Sequence, residues 1–223
     1  MGSIDIGSIA FDLQPTRKRA ITWRVVTILE RIVAAALLLL ILPILVLSAT
    51  VIVAISRRSP FVAHQRVGHA GRLIWILKLR TMWKDDSGSK SIFVHRLSAA
   101  EAPLLAPHQK DLRVTSRFAA FCRRYSVDEL PQLWHVVLGD MALVGPRPLT
   151  QQELDAYYGP DAALVVAAKP GLSGLWQISG RSRLDYKQRR HLDLFLVQHW
   201  SISLYIRILF STLPRVVTGK DAW

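Results

Sequence analysis

Residues 32–55 read IVAAALLLLILPILVLSATVIVAI, a run of 24 residues without a charged side chain. A continuous helix of this length would be about 36 Å long, enough to span the roughly 30 Å hydrocarbon core of a bilayer. The run is too long for a secretory signal peptide, and no small-residue cleavage site precedes Ser56. The stretch therefore predicts a membrane segment, around which the rest of the chain must be arranged.

Two features of this run favour a re-entrant segment over a plain membrane span. Pro43 lies at its middle, where it kinks or breaks a helix, and each half of about 12 residues is too short to cross alone. Basic clusters flank the run at 17–24 and 57–72, and both prefer the cytoplasmic side. A hairpin that enters one leaflet and returns satisfies both flanks. An ordinary kinked span is the alternative, because membrane helices tolerate proline.

The composition points to a folded, basic chain that handles negative charge. Its 223 residues suit one domain of ordinary size, and 29 Lys+Arg against 16 Asp+Glu give a net charge of +13. A polyanion is the expected partner, whether nucleic acid, an anionic membrane surface or a phosphorylated substrate. The 51% of apolar residues excludes a disordered basic tail. The single cysteine, Cys122, excludes an intrachain disulfide framework and a cysteine-based zinc cluster.

After the membrane segment the pattern becomes that of a small sheet. Residues 59–67 predict an extended stretch, residues 68–71 (GHAG) a turn, and the alternation over 73–80 the second strand of a hairpin. That alternation places Lys78 and Arg80 side by side at the end of the strand. Residues 83–112 are polar and contain two prolines, so they predict a variable loop with room for one short helix.

Apolar residues at helical spacing predict a helix from Leu130 to Val137, which Gly139 ends. Residues 141–148 are expected to be extended or looped, because the terminal GPRP cannot continue a helix. Residues 185–200 predict an amphipathic helix, and residues 202–213 an apolar one that Pro214 ends.

The last of these helices is a candidate for the membrane surface. Trp200, Tyr205 and Arg207 suit the lipid–water boundary, so the helix from residue 202 is expected to lie in the interface plane. A helix buried in a soluble core is the alternative.

The chemistry concentrates in Ser126–Gln132, SVDELPQ. Ser126 and Glu129 have the spacing of a capping box, which puts Asp128 and Glu129 in the first helical turn, although Pro131 leaves the register uncertain by a residue or two. The positive end of a helix favours an ionised carboxylate and a bound phosphate. One carboxylate as nucleophile and a second as Mg²⁺ ligand suit phosphoryl transfer. Ordinary helix capping is the alternative reading of the pair taken alone.

The blocks around this pair, in their order and spacing, resemble the bacterial sugar transferases, the polyprenyl-phosphate phosphoglycosyltransferases that start capsule, exopolysaccharide and O-antigen assembly. The resemblance runs from about residue 22 to 218 and is weakest over 83–116. The short chain looks most like the small, monotopic, exopolysaccharide- or glycan-initiating members. The blocks are DELPQLW (128–134), GDM (139–141), VGPRP (144–148), QRVG (65–68), KLRTM (78–82), KPGLSGLWQ (169–177) and SGR (179–181).

The resemblance implies a specific reaction. Such enzymes transfer a phosphosugar from a UDP-sugar to undecaprenyl phosphate and release UMP, through a covalent phosphosugar intermediate on an aspartate. On this chain Asp128 is then the nucleophile and Glu129 the ligand of a Mg²⁺ cofactor. The expected substrate- or phosphate-binding residues are Lys78, Arg80, Pro146, Arg147, Pro148 and Arg181; for the cations, a solvated face or a lipid-headgroup contact is the alternative.

The resemblance also implies the overall architecture, an α+β fold with several, partly interfacial helices and a small antiparallel β element around one catalytic domain. Residues 1–21 form a basic tail, 22–58 a re-entrant membrane helix-hairpin and 59–223 the catalytic domain. The expected location is the cytoplasmic face of the bacterial inner membrane. Expected partners are the UDP-sugar, undecaprenyl phosphate, membrane lipids and downstream glycosyltransferases, with no nucleic acid; a homodimer is left open.

Two other classes of function compete with this one. A membrane phosphotransferase without a covalent intermediate would form no UMP unless the polyprenol acceptor is present. A non-enzymatic basic membrane or nucleic-acid scaffold would bind RNA or DNA in a salt-sensitive manner that does not depend on Asp128. It would leave the order of the blocks unexplained. The sequence does not indicate which sugar is transferred.

Overall fold

The computed structural model describes residues 17–82, 94–97, 114 and 116–219. It combines one long helix with two small sheets and several shorter helices, which confirms the predicted α+β class. The helices are α1 (Arg17–Ser56), α2 (Arg117–Arg124), α3 (Leu133–Leu138), α4 (Gln151–Glu153), α5 (Ala162–Val166), α6 (Leu175–Ser179), α7 (Tyr186–Gln198) and α8 (Ile202–Thr218). The strands are β1 (Phe61–Val67), β2 (Leu73–Leu79), β3 (Val94–Leu97), β4 (Ala142–Val144) and β5 (Gly171–Ser173).

Short helical turns complete the described chain. A π-helical turn covers Leu154–Tyr158. The 3-10 segments are His69–Gly71, Val127–Gln132, Gly159–Asp161 and Arg181–Arg183.

Helix α1 is 40 residues long and carries the apolar run. Its stretch Trp23–Ser56 is long and apolar enough to cross a membrane by length and composition. The side away from the domain is apolar and exposed, as Leu39 and Leu40 at 73% and 74% exposure show. The other side is buried along a stripe at helical spacing: Glu30, Ala34, Leu45, Ser48 and Ile52.

Pro43 lies inside α1 and does not end it, so the residues on either side form one helix and not two separate ones. A proline removes only one backbone hydrogen bond, and the flanking turns keep their helical conformation here. A re-entrant course of this helix in a bilayer stays a prediction, as do the proposed boundaries at 21 and 58. Most of the predicted tail, residues 1–21, lies outside the described residues.

Two neighbouring charged residues attach α1 to the rest of the molecule. Glu30 Oε1 accepts hydrogen bonds from the Leu143 amide at 2.9 Å and from the Tyr205 hydroxyl at 2.6 Å. Arg31 donates to the carbonyl oxygens of Val137 and Leu138, at the C-terminal end of α3, where carbonyls lack partners within the helix. The helix is thereby bonded to β4, α8 and α3.

The predicted hairpin is confirmed. Strands β1 and β2 are antiparallel, with Val62 opposite Lys78, and the turn between them contains Ala70 and Gly71 at positive φ. A third strand, β3, pairs with β1 in parallel. It lies within the stretch predicted to be a loop, so the loop prediction is wrong at 94–97. A four-residue strand gains its stability from pairing with β1, and the local sequence does not indicate this pairing. Most other residues of that stretch lie outside the described ones.

A second sheet consists of two short parallel strands. In it Ala142 of β4 lies opposite Gly171 of β5. The backbones approach so closely that a Cβ on Gly171 would lie 2.1 Å from the Gly145 amide nitrogen. Helix α3, which precedes β4, ends at Gly139 in the left-handed conformation (φ 87°), as predicted, but begins at Leu133 and not at Leu130.

Both C-terminal helices are present, and one is longer than predicted. Helix α7 starts with a capping box between Asp185 and Gln188. Helix α8 continues through Pro214, so the predicted end there is wrong, and it stops at Gly219 in the left-handed conformation. In the turn around Pro214 the Arg215 side chain donates to the Ser211 carbonyl at 3.2 Å.

Helix α8 is partly buried and partly exposed. Tyr205 is only 9% exposed and faces Glu30 through its hydroxyl, so the expectation that it lies at the lipid boundary is wrong. The opposite side carries exposed apolar residues, among them Phe210 and Val217. The main core joins α1, β2, α3, β4, α7 and α8, through residues that include Ala34, Ile76, Val136, Leu143, Leu196 and Ile208.

Candidate active site

The acid pair lies in the first turn of the 3-10 helix Val127–Gln132, which leads directly into α3. The predicted capping box is wrong. Ser126 has a left-handed backbone (φ 56°) and makes no side-chain cap, because an N-cap requires an extended conformation. Its hydroxyl instead accepts a hydrogen bond from Arg181 Nη2 at 2.7 Å. This contact connects the segment before the acid pair to the SGR block.

Asp128 is almost completely buried, at 8% exposure. Burial, and then the neighbouring Glu129 carboxylate, raise its pKa to about 6, against the opposing effect of Lys78 and Arg123. Asp128 is therefore ionised at neutral pH and is poorly solvated. A carboxylate in such a setting is well suited to act as a nucleophile.

Glu129 has the opposite electrostatic setting. Burial would raise its pKa, but the Lys78 ammonium, with Arg181 and Arg147 behind it, holds the pKa below the usual value. Lys78 Nζ lies 2.6 Å from Glu129 Oε1. The two adjacent acids thus differ in pKa, a pattern found where two carboxylates have separate tasks.

Strand β2 positions Lys78 for this ion pair. The strand is anchored by Ile76 and Leu79, each 1% exposed, and its side chain at position 78 reaches the 3-10 helix that follows α2. A second contact holds the same strand, because the Leu77 amide donates to His135 Nε2 of α3 at 3.0 Å. Lys78 therefore comes from a rigid element, 51 residues before its partner.

The loop after β4 brings Arg147 towards the acid pair. Close packing at Gly145, where a Cβ would lie 2.4 Å from the Lys169 carbonyl oxygen, fixes the start of this loop. The Arg147 amide donates to Asp193 Oδ1 at 3.3 Å, and its guanidinium carbon lies 5.0 Å from the centre of the Trp176 ring. The charge of Arg147 acts on Glu129, which places it near the acids.

The family model for bacterial sugar transferases matches residues 21–219 of this chain. The chain belongs to the bacterial sugar transferase family. The resemblance predicted from the sequence blocks is thus confirmed, and the match includes α1 as well as the acid pair and the loop with Arg147.

Individual relatives of this sugar transferase agree with the family match. The chain is 40% identical over 194 residues to the UDP-galactose-lipid carrier transferase of Erwinia amylovora, covering 85% of this chain and 40% of that protein. It is 37% identical to the exopolysaccharide production protein ExoY of Rhizobium meliloti, covering 85% and 84% of the two chains. It is 35% identical to the UDP-glucose:undecaprenyl-phosphate glucose-1-phosphate transferase of Caulobacter vibrioides, covering 88% and 71%. The chain thus spans less than half of the Erwinia protein and most of the other two.

The structure places most of the predicted site residues of the transferase near the acid pair, and one of them, Arg80, has other contacts. Lys78 bonds to Glu129, and the charges of Arg147 and Arg181 act on it. Pro146 and Pro148 flank Arg147 in the loop after β4. Arg80 is 2% exposed and donates to the carbonyl and hydroxyl oxygens of Ser59, so its described contacts hold the start of β1. The functional roles of all these residues stay predictions.

The acid pair offers a donor set that fits Mg²⁺. Among the residues that the structure describes, no group of three or more His, Cys, Asp or Glu side chains is placed to hold a metal. Mg²⁺, however, is commonly held by one or two carboxylates together with substrate phosphates and water. Asp128 and Glu129 supply two adjacent carboxylates, of which Glu129 Oε1 already accepts from Lys78. The carboxylate of Glu129 therefore fits the predicted role of metal ligand.

Several residues beside the site were not predicted from the sequence. Asp193 is fully buried in α7, where it accepts hydrogen bonds from the Arg147 amide and, at 2.8 Å, from the Tyr158 hydroxyl. Burial raises its pKa to about 6, although both bonds oppose this. One sequence signal could have indicated it: Asp193 is the one acidic residue of α7 and lies between two leucines. Arg123, which follows Cys122, was also not predicted, and its charge lowers the pKa of Asp128.

Proposed function

We propose that this transferase moves a phosphosugar from a UDP-sugar to undecaprenyl phosphate and releases UMP. The names of its relatives support the proposal, because the Caulobacter protein is named for that transfer with UDP-glucose and the Rhizobium protein for exopolysaccharide production. The lipid-linked product would be the unit on which downstream glycosyltransferases build a glycan. The observation that carries the proposal is the buried Asp128 beside the Glu129–Lys78 ion pair.

In the proposed first step, the ionised Asp128 carboxylate attacks the sugar-bearing phosphorus of the UDP-sugar. A bond forms between a carboxylate oxygen and this phosphorus, and the bond from phosphorus to the bridging oxygen breaks, with the electron pair leaving on UMP. In the second step, a phosphate oxygen of undecaprenyl phosphate attacks the same phosphorus. The Asp128 carboxylate is then released unchanged, and neither step requires a net proton transfer.

The basic residues of the site would stabilise the charge on the phosphates. Lys78 holds Glu129 ionised, while Arg147 and Arg181 can offer the planar donor pairs that match phosphate oxygens. Pro146 and Pro148 fix φ on both sides of Arg147 and so limit its motion. A Mg²⁺ ion held by Glu129 would supply additional positive charge to the phosphate oxygens.

The proposed acceptor is a membrane lipid, whose phosphate lies at the lipid surface and whose chain lies in the bilayer. The exposed apolar sides of α1 and α8 support a location at the inner membrane. Residues 59–223 would face the cytoplasm, where UDP-sugars are made available. A site beside a membrane-attached helix can reach the acceptor phosphate without crossing the bilayer.

The test is to offer the purified full-length protein a panel of UDP-sugars with Mg²⁺, with and without undecaprenyl phosphate, and to measure UMP. One or a few UDP-sugars should react, and a stoichiometric amount of UMP should form without the acceptor. Mass spectrometry of the donor-treated protein should find the phosphosugar on Asp128. The Asp128→Asn variant should form neither the adduct nor UMP.

The matched control is Asp140→Asn, which makes the same chemical change at a carboxylate that is paired with the exposed Arg72. This variant should retain full activity. UMP formation only in the presence of the acceptor would favour a transferase without a covalent intermediate. Near-normal turnover by Asp128→Asn would contradict the assignment of the nucleophile.

A further inference from the structure

A cluster of stacked aromatic rings and guanidinium groups lies next to the candidate active site. The rings of Tyr157 and Tyr186 are parallel, with centres 4.0 Å apart. The guanidinium carbon of Arg189 lies 5.4 Å from the centre of Tyr186 and 5.2 Å from that of Trp176. Arg147 lies 5.0 Å from the centre of the same Trp176 ring. Two cations thus share one indole, and the stack restricts the orientation of both.

The charge of Arg189 is poorly compensated in this position. Burial, and then the repulsion of Arg147, lower its pKa. Its Nη2 donates to the Arg181 carbonyl oxygen at 3.4 Å, a long bond to a neutral group. Among the described residues, Nε of Arg189, Nε of Arg147 and Nη1 of Arg181 are buried and have no hydrogen-bond partner. Buried donors of this kind are normally satisfied, so three of them in one cluster point to an anionic ligand.

The position of the cluster relative to the acid pair indicates which anion this is. The charges of Arg147 and Arg181 both lower the pKa of Glu129. Arg189 in turn contacts the Trp176 ring and the backbone of Arg181. The cations therefore form a chain of neighbours that begins at the acids and ends at Arg189.

Helix α1 packs against α3 and the 3-10 helix, whereas α7, which carries Arg189, packs against α5, α6 and the π-helical turn. The first turns of α7 contact this part of the molecule through Tyr186 and Arg190, whereas the later Leu196 joins the core shared with α1. The position of Arg189 near the start of α7 favours a ligand that arrives from water over one that arrives from the membrane.

We propose that Arg189 is a further substrate-binding residue, which together with Arg147 binds the phosphate of the donor that leaves as part of UMP. The inference rests on the proposed function, because it takes the donor to be a UDP-sugar. The sugar-bearing phosphorus would lie at Asp128, and the leaving phosphate would lie next to it, within reach of both guanidinium groups that contact Trp176. A planar guanidinium donates two parallel bonds to phosphate oxygens, which a lysine cannot do.

The experiment uses the full-length protein and measures the affinity for UMP by calorimetry, together with the KM values for the UDP-sugar and for undecaprenyl phosphate. Arg189→Gln should weaken UMP binding about tenfold and raise the donor KM by a similar factor, the size of a lost charged hydrogen bond. The KM for undecaprenyl phosphate should not change. Arg189→Lys, which keeps the charge without the planar donors, should give an intermediate affinity.

The matched control is Lys187→Gln, which removes a positive charge from an exposed position in the same helical turn. It should bind UMP as the unaltered protein does. Unchanged UMP affinity in Arg189→Gln would overturn the inference, and so would a rise in the KM for undecaprenyl phosphate alone, which would assign the cation to the acceptor. If Arg189→Gln does not fold, Arg189→Lys decides, since unaltered UMP binding by that variant also contradicts the inference. Failure of the unaltered protein to release UMP from any UDP-sugar would instead refute the proposed function.

Discussion

At the scale of single residues, the site depends on two adjacent carboxylates in different electrostatic settings. Asp128 is buried with its pKa raised, and Glu129 is paired with Lys78 with its pKa lowered. The order of the two acids along the chain does not produce this difference. It arises because a lysine from β2 contacts one of them directly and the other only at longer range.

The pH dependence of the first half-reaction should report the ionisation of Asp128. Acceptor-independent UMP formation should rise with pH through an apparent pKa of about 6, because only the ionised carboxylate attacks. Lys78→Met removes a charge that favours ionisation, so its profile should shift to higher pH and its rate at pH 6.5 should fall by about tenfold or more. The control is Arg72→Met, which removes an exposed charge next to the same hairpin. A profile that does not shift would contradict the role of Lys78.

The buried carboxylate should also lower the stability of the fold near neutral pH. The pKa of Asp128 rises from an ordinary 3.8 to about 6 on folding, so the folded state binds more protons than the unfolded state between these values. Stability is therefore lost as the pH rises through about 6. Asp128→Asn should raise the free energy of unfolding at pH 7.5 by about 1–3 kcal/mol, a gain that disappears at pH 4. Thermal unfolding at both pH values checks this, with Asp140→Asn as the unaffected control.

The acid pair could be identified from sequence blocks, but its surroundings could not. Strand alternation placed Lys78 and Arg80 on one face, and the family resemblance made both candidates for phosphate contacts. The alternation fails at the end of β2, where consecutive Leu79 and Arg80 are both almost fully buried and Arg80 turns to Ser59. The backbone conformation of Ser126 could not be predicted either. It is left-handed because of how the loop after α2 packs, and not because of the residues of the predicted capping box.

At the scale of elements, the segments with a strong hydrophobic period could be predicted, whereas the expectation that a proline breaks or ends a helix failed. The hairpin follows from alternation and α7 from its amphipathic pattern, and both signals act locally. Pro43 and Pro214 lie inside helices because packing along each helix outweighs the loss of one backbone bond. Strand β3 could not be predicted from its own residues, because it forms by parallel pairing with β1, which is distant in the chain.

The junction of α1 with the domain can be tested through Glu30. Glu30→Ala removes the acceptor for the Leu143 amide and the Tyr205 hydroxyl, leaving two buried donors without their bonds. We expect it to cost about 2–4 kcal/mol of stability, measured by thermal unfolding in detergent micelles. Tyr205→Phe keeps the bond to Leu143 and should cost less. Leu39→Ala, on the exposed side of α1, is the control, and equal unfolding temperatures for Glu30→Ala and this control would contradict the role of Glu30.

At the scale of the whole molecule, the course of α1 in the bilayer decides which side of the membrane each of its ends faces. If the segment is re-entrant, both of its ends are cytoplasmic. In a Cys122→Ser background, single cysteines placed by Lys18→Cys and Arg57→Cys should both resist a membrane-impermeant maleimide in intact spheroplasts and react after lysis. Cys122 is the one cysteine of the sequence, so this background has no other thiol that the maleimide could label. Labelling of one of the two positions in intact spheroplasts would show that the helix crosses.

The bond between Glu30 and Leu143 has a consequence for the choice of lipid environment. Leu143 lies two residues before Gly145, where the loop carrying Arg147 begins, so a tilt of α1 that moves Glu30 is expected to act on the strand that leads into that loop. Hydrophobic mismatch changes the tilt of membrane helices. Turnover in nanodiscs should therefore depend on acyl-chain length, with an optimum thickness, and Glu30→Gln should flatten that dependence. Bilayer thickness would then act on this enzyme as a physical regulator of its rate.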